Sequence, residues 1–214
     1  MPTYTTFITS YNQIHVSAGY PTYPGGGYHR GIDTYTPGYA DNVVRAPSDA
    51  VILRSEMGTG GNWSWGNFVV GYNEEGNYSW LAAHFDVRYV EAGQIVKAGD
   101  SIGYCGTTGN VTGRHTHWEG HRGRGITNNL FDPSTFLGFP DAVGTYNVEL
   151  GDPENPPRPD PDPPEPTPVP ISINNLIASG IIPVLTQLQS QNQLSQMVDY
   201  DWLRVNYNPY GGYN

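Results

Sequence analysis

Over roughly the first 140 residues, short apolar runs alternate with clusters of Gly, Asn and Pro. Residues 42–46, 50–56, 66–72, 78–85 and 101–105 are rich in Val, Ile, Tyr, Phe and Trp and are bounded by turn formers, so they predict strands. The Asn-Glu-Glu-Gly-Asn stretch at 73–77 reads as a hairpin loop joining two of them. Between residues 90 and 100, Gly93 and Gly99 separate short apolar runs, the rhythm of tight turns in a small sandwich or barrel. No stretch in this part keeps a helical apolar period long enough to predict a helix. The expected fold is mainly β: a compact antiparallel sandwich or barrel-like domain with a substrate groove over residues 1–145.

The texture then changes. Ten of the twenty residues at 151–170 are Pro, with five acids against one Arg. Proline at this density favours extended polyproline-II, and like charges stretch the chain further, to about 60 Å when fully extended. Residues 146–170 therefore read as a stiff acidic linker. Beyond it, residues 171–198 hold no charged side chain. Ile181, Val184, Leu185 and Leu188, then Val198 and Trp202, give a broken apolar stripe at helical spacing. Residues 171–214 have too small a core to fold alone and read as a short, helix-compatible docking or oligomerisation segment.

Composition agrees with the patterning. Charged residues are 14% of the chain and aromatics 13%, with 27 Gly, a mix suited to a turn-rich β protein. The net charge of −10 argues against nucleic acid as a partner, since nucleic acid selects basic surfaces. No apolar run reaches the ~18 residues of a membrane span, and the Met1-Pro2-Thr3-Tyr4 start has no basic stretch leading into an apolar one, so no secretory signal is expected. The lone Cys105 sits in a strand-like run and reads as a small buried residue.

The chemistry gathers in three segments: His29-Arg30-Gly31-Ile32-Asp33, Ala82-Ala83-His84-Phe85 and His115-Thr116-His117. On a strand, alternate side chains share a face, so His115 and His117 point together while Thr116 and Trp118 point away. His29 and Asp33 also share a face if their segment is extended, with Gly31 between them adding no bulk. Two imidazoles and a carboxylate leave a fourth zinc position open, as a catalytic site requires. Taken singly, each of these histidines reads more readily as a packed or surface residue. Glu119 shares the face of the paired histidines and could orient a ligand imidazole, but the favoured reading is a surface carboxylate, and His15 and His121 read as surface residues.

As an ordered set, these segments resemble the LytM/lysostaphin-type zinc endopeptidases of bacterial cell walls. The resemblance runs from about residue 23 to 139 and includes residues 90–103 with their paired glycines and Gly106-Thr107-Thr108-Gly109. It implies that His29, Asp33 and His117 hold Zn2+, and that His84 and His115 flank the attacking water and the scissile peptide. Tyr23 would help stabilise the tetrahedral intermediate, with Tyr28 a competing candidate by proximity. One departure stands out: Thr116 occupies a position that is commonly Leu in the family, on the side facing away from the metal.

The implied substrate is a peptide stem or cross-bridge of bacterial peptidoglycan. A lytic domain ahead of an acidic Pro-rich spacer and an uncharged segment suggests a phage virion setting, with 171–214 binding tail proteins or self-associating. On that expectation the protein acts from the virion or is released into the host cell envelope. A soluble endolysin, or a wall-docking protein that keeps the fold without turnover, are the alternatives.

Overall fold

The computed structural model describes residues 2–152. The linker from residue 153 onward and the docking segment expected at 171–214 lie outside the described residues. Twelve strands are formed among the described residues: β1 (Thr3–Thr6), β2 (Gln13–Ala18), β3 (Ile32–Tyr35), β4 (Val43–Arg45), β5 (Ala50–Met57), β6 (Asn67–Asn73), β7 (Tyr78–Arg88), β8 (Ile95–Val96), β9 (Ser101–Cys105), β10 (Thr116–Arg122), β11 (Leu130–Phe131) and β12 (Gly144–Leu150). The α-helix, α1 (Ser134–Leu137), is a single turn. The mainly β expectation holds, and β4 to β7 and β9 coincide with the five predicted strands. The boundary expected at residue 145 falls inside β12, which pairs with both β1 and β2.

The strands follow the order β1-β12-β2-β3-β10-β7-β6-β5-β8, with β11 beside β10 and β4-β9 attached to β7. β1 and β12 run parallel; the remaining pairs are antiparallel. Strand alternation sends Val16, Ile32, Val69, Trp80, Ala82 and Trp118 into the main core, where Phe136, Leu137 and Phe139 also pack. Phe68, Val70, Leu81 and Ala83 form a smaller cluster on the opposite face, against Trp65 and Leu53. Burying the Trp118 indole leaves one polar atom to satisfy, and its Nε1–H donates to Thr34 Oγ1 at 3.0 Å. Thr116, directly opposite Thr34, is buried on this same side, away from the histidines.

Two local features place the chemistry. The first is in β7. Its residues 78–83 pair with β10, whereas from Phe85 onward it pairs with β9. His84 lies at that change of partner, with φ of 71°, in the left-handed region that costs a non-glycine residue about 1–3 kcal/mol. Ala83 and His84 together face the single residue Phe68 across the β6 ladder, a bulge. Simple alternation would send His84 into the main core after Trp80 and Ala82. With the bulge, Phe85 takes that core position, and the imidazole of His84 is left on the side of Leu81 and Ala83.

The second feature is Gly31, one residue before β3. A β-carbon there would overlap the backbone carbonyl of Trp118 in β10. This close approach is what lets the chain carry His29 onto the face shared by Asp33 and His117. Gly31→Ala is therefore expected to lower stability by about 1–3 kcal/mol, as overpacking does. Denaturant unfolding checks this; an unchanged midpoint would show that β3 and β10 can separate without cost.

Candidate active site

Asp33 in β3 sits directly across from His117 in β10, so their side chains leave the sheet on the same face. His117 Nδ1 is 2.8 Å from Asp33 Oδ1. His29 Nε2 lies 3.2 Å from that same oxygen and 3.2 Å from His117 Nδ1. A tetrahedral zinc ion with ligand bonds of about 2.0–2.1 Å has ligand-to-ligand edges of roughly 3.3 Å. Two of the three separations match that edge, and the third is slightly shorter. The three atoms are a ligand set of two nitrogens and one oxygen, all on buried residues.

The outer contacts of these residues assign their tautomers. His29 Nδ1 lies 2.7 Å from the Gly19 carbonyl, which can only accept, so Nδ1 carries the proton and Nε2 is bare. His117 turns its Nε2 to Glu119 Oε1 at 3.2 Å and donates there, so loss of its second proton would leave Nδ1 bare. Two nitrogen lone pairs and a carboxylate oxygen then converge, an arrangement that repels itself unless a proton or a cation lies among them. Burial alone would pull the His117 imidazole down, yet Asp33 and Glu119 on either side push it up to about 9. Burial likewise opposes ionisation of Asp33, but when the two rings are protonated toward it, hydrogen bonds from His117 and His29 hold its carboxyl well below the usual range. A divalent cation held here would take the place of the proton on Nδ1. The residues fit zinc.

His84 and His115 complete the cluster, their rings 4.8 Å apart. His84 Nδ1–H donates to the Thr108 carbonyl at 3.0 Å, and His115 Nδ1–H to the Gly113 carbonyl at 2.9 Å, so both leave Nε2 free. His115 Nε2 is 3.6 Å from Asp33 Oδ1. Burial, reinforced by the His117 and His115 imidazoles, lowers His84 to about 3 and keeps it neutral. His115 does not lie within β10 but just before it, held by a bridge to Gly106.

The Gly106-Thr107-Thr108-Gly109 stretch supports this pair. The Thr108 hydroxyl donates to the Phe85 carbonyl at 2.8 Å and accepts from Asn67 N–H at 2.9 Å, while its carbonyl holds His84. Gly109, with φ of 82°, lies so close to Ser64 that a β-carbon would overlap the Ser64 carbonyl. The loop is thereby pinned to the 3-10 turn Gly60–Trp65 that walls the groove.

Tyr23 stacks on His29, ring centroids 4.0 Å apart. Burial and the Asp33 and Glu119 carboxylates raise its phenol, which keeps it protonated and able to donate. Tyr28 is more exposed, at 63%, and its phenol meets Tyr20. Of the two, Tyr23 is the one placed against the cluster. All six expected site residues are thus brought together in one place.

Glu119 and His121, expected at the surface, are instead both fully buried. Glu119 meets His117, accepts from Trp65 Nε1–H at 3.1 Å and from Arg30 Nε–H at 3.2 Å, and lies 3.0 Å from His121 Nε2. Strand alternation puts Glu119 and His121 on the face of His117, and beyond the cluster that face is covered by other parts of the chain and not open to solvent. His15 is half-buried, its Nδ1 2.8 Å from Thr145 Oγ1, and takes no part in the cluster.

Comparison with known proteins agrees with this geometry. Residues 27–132 match Peptidase family M23. The chain is 29% identical over 132 residues to "Glycyl-glycine endopeptidase ALE-1" of Staphylococcus capitis, covering 62% of this chain and 35% of that protein. It is 35% identical over 91 residues to "Peptidoglycan DD-endopeptidase ShyC" of Vibrio cholerae, covering 42% of this chain and 19% of that protein. The solved structure of lysostaphin from Staphylococcus simulans superposes with a TM-score of 0.50 and 28% identity, over 57% of this chain and 48% of that one. The chain thus spans about a third or less of the length of both curated relatives.

Glu119 is expected to make His117 a better ligand. Glu119→Gln should weaken zinc binding about 10–100-fold, the usual effect of losing an outer carboxylate. Because the His117 proton must leave, wild-type affinity should fall as pH drops below about 9. Chelator competition across pH measures both. Unchanged affinity in the variant would remove Glu119 from any role at the metal.

Proposed function

We propose that this chain, which carries a Peptidase family M23 domain, is a zinc-dependent endopeptidase that hydrolyses peptide stems or cross-bridges of bacterial peptidoglycan. The observation that carries this reading is the convergence of three potential ligand atoms beside two imidazoles whose Nε2 atoms are left unused by their backbone partners and line the same groove. The names of the curated relatives, a glycyl-glycine endopeptidase and a peptidoglycan DD-endopeptidase, support the substrate class.

In this reading His29, Asp33 and His117 hold zinc, which when bound supplies Lewis acidity toward a peptide carbonyl and a water molecule. His115 takes the proton of the attacking water on Nε2 and returns it to the leaving amine. His84, neutral and fixed by Thr108, orients that water through its own Nε2. The Tyr23 phenol donates to the oxyanion as it develops. The groove is about 520 Å³, lined by Tyr23, Trp65 and Val111 among others, which suits an extended peptide.

The setting we propose is a phage virion, in which the acidic Pro-rich linker displays the catalytic domain and residues 171–214 attach it to tail proteins or to a second copy. The abrupt change from an acidic Pro-rich stretch to an uncharged one supports a spacer followed by an attachment segment. Removing residues 171–214 should then leave peptide hydrolysis intact and abolish self-association or capture by tail proteins. Size exclusion and co-sedimentation with virions read this out. A full-length chain that stays monomeric and free of virions would point to a soluble lysin. No helix among the described residues is long and apolar enough to cross a membrane.

For the chemistry, zinc removal should abolish release of new amino groups from purified cell wall, and zinc should restore it. His115→Ala should retain zinc but lose about 10²–10⁴ in kcat/KM, the usual contribution of a proton-transfer group. Tyr23→Phe should cost about 10²–10³ in kcat as the loss of one oxyanion donor. A zinc-loaded wild-type protein that binds wall but releases no amines would overturn the enzyme reading in favour of a docking protein.

A further inference from the structure

Arg30 follows the ligand His29, and its guanidinium is gripped from one side only. Nε–H donates to both oxygens of Glu119, at 3.4 and 3.2 Å. The Arg30 side chain is 37% exposed while the Glu119 side chain is fully buried. Among the described residues the terminal nitrogens of Arg30 have no hydrogen-bond partner. Arg30 is also the one Lys or Arg that lines the groove.

Charge accounting gives that placement a direction. Asp33 and Glu119 together balance a divalent ion held at the cluster, and the imidazoles that ligate it are neutral. The guanidinium is then the excess positive charge of the groove. It sits in a chain whose net charge is −10, which on its own would repel an acidic substrate. Charges more than about 8 Å away are largely screened at physiological salt, so the local cation decides what the groove accepts. Its fork is also pre-oriented, because the contact through Nε fixes the plane in which the two terminal nitrogens present their donors.

We propose that Arg30 binds a free carboxylate of the substrate, so that the bond cut lies beside an acidic residue of a peptide stem and not within an uncharged glycine bridge. This rests on the peptidase reading above. Glu119 anchors the guanidinium from below, and the substrate carboxylate takes its open edge. Arg30 thus sets specificity without taking part in proton transfer.

The test uses the zinc-loaded full-length chain and three synthetic peptides: a stem peptide with its side-branch carboxylate free, the same peptide amidated, and an all-glycine peptide. The wild type should favour the free acid over the amide by about 10–100-fold in kcat/KM, mostly through KM, the size of a lost charge-assisted contact. Arg30→Gln should bring acid and amide to within about twofold of each other, and Arg30→Lys should restore part of the preference. Zinc content is measured in each variant, and the affinities of the acid and amide peptides are measured by calorimetry on the His115→Ala protein with and without Arg30→Gln.

Equal kcat/KM on acid and amide in the wild type, or a preference for the glycine peptide, overturns the proposal. So does an Arg30→Gln variant that loses zinc and slows equally on both stem peptides, since Arg30 would then only steady Glu119. If no peptide or wall is cleaved but calorimetry shows an acid preference that vanishes with Arg30→Gln, the carboxylate subsite stands and the peptidase reading falls. If calorimetry shows no preference, the subsite falls whatever the turnover.

Discussion

The pairing of Asp33 with His117 across the β3–β10 ladder is the constraint on which the site depends. Side chains on a strand alternate, so a slip of one residue in that register would turn Asp33 into the core and bring Ile32 or Thr34 to the groove. The core on the other face prevents the slip. Ile32, Thr34 and Trp118 are buried there, and the indole of Trp118 is hydrogen-bonded to Thr34. A mainly apolar layer thus fixes the position of polar atoms it never touches. The approach of Gly31 to the Trp118 carbonyl adds His29 to the same face.

Polar groups this deeply buried are costly unless each is partnered, and here the partners are arranged in a chain. Glu119 connects His117, His121, Trp65 and Arg30 through two oxygens. His29 is held by Gly19, His84 by Thr108 and His115 by Gly113, in each case by a backbone carbonyl. Carbonyl acceptors cannot donate, so in each neutral ring they settle which nitrogen carries the proton. The fold thereby turns the remaining nitrogen of each of these neutral rings toward the groove, the orientation that metal ligation and proton uptake require.

Much of this was legible from the sequence, and what was not has a physical cause. Strands β4 to β7 and β9 announce themselves by apolar runs between turn formers. β1, β2, β11 and β12 do not: they are short or mix Thr, Gln, Asn and His with few apolar residues, and tertiary pairing decides them. The ligand set was readable only through the ordered segments that resemble a known family; strand alternation by itself left each histidine open to a packed or surface reading. Glu119 and His121 were misjudged because a charged residue on an alternating strand is ordinarily on the solvent side. What buries them is packing by Trp65 and the 127–131 region, which no local pattern reveals.

His84 shows where sequence and geometry part most clearly. By alternation along β7 it belongs with Trp80 and Ala82 in the core, where an imidazole would have no partner. The left-handed backbone at His84 breaks the alternation at the point where β7 trades β10 for β9. That exchange opens the sheet on one side, and the opening is where the groove reaches the imidazole. The bulge costs local stability, and hydrogen bonds from Thr108 and Asn67 at the same place offset part of that cost. The strain is therefore a consequence of joining two strand ladders on one long strand. Its effect is to bring a neutral imidazole to the ligand cluster from a different strand than the ligands themselves. With Asp33 on β3, His117 on β10 and His84 on β7, the cluster spans three adjacent strands and cannot open without separating the sheet.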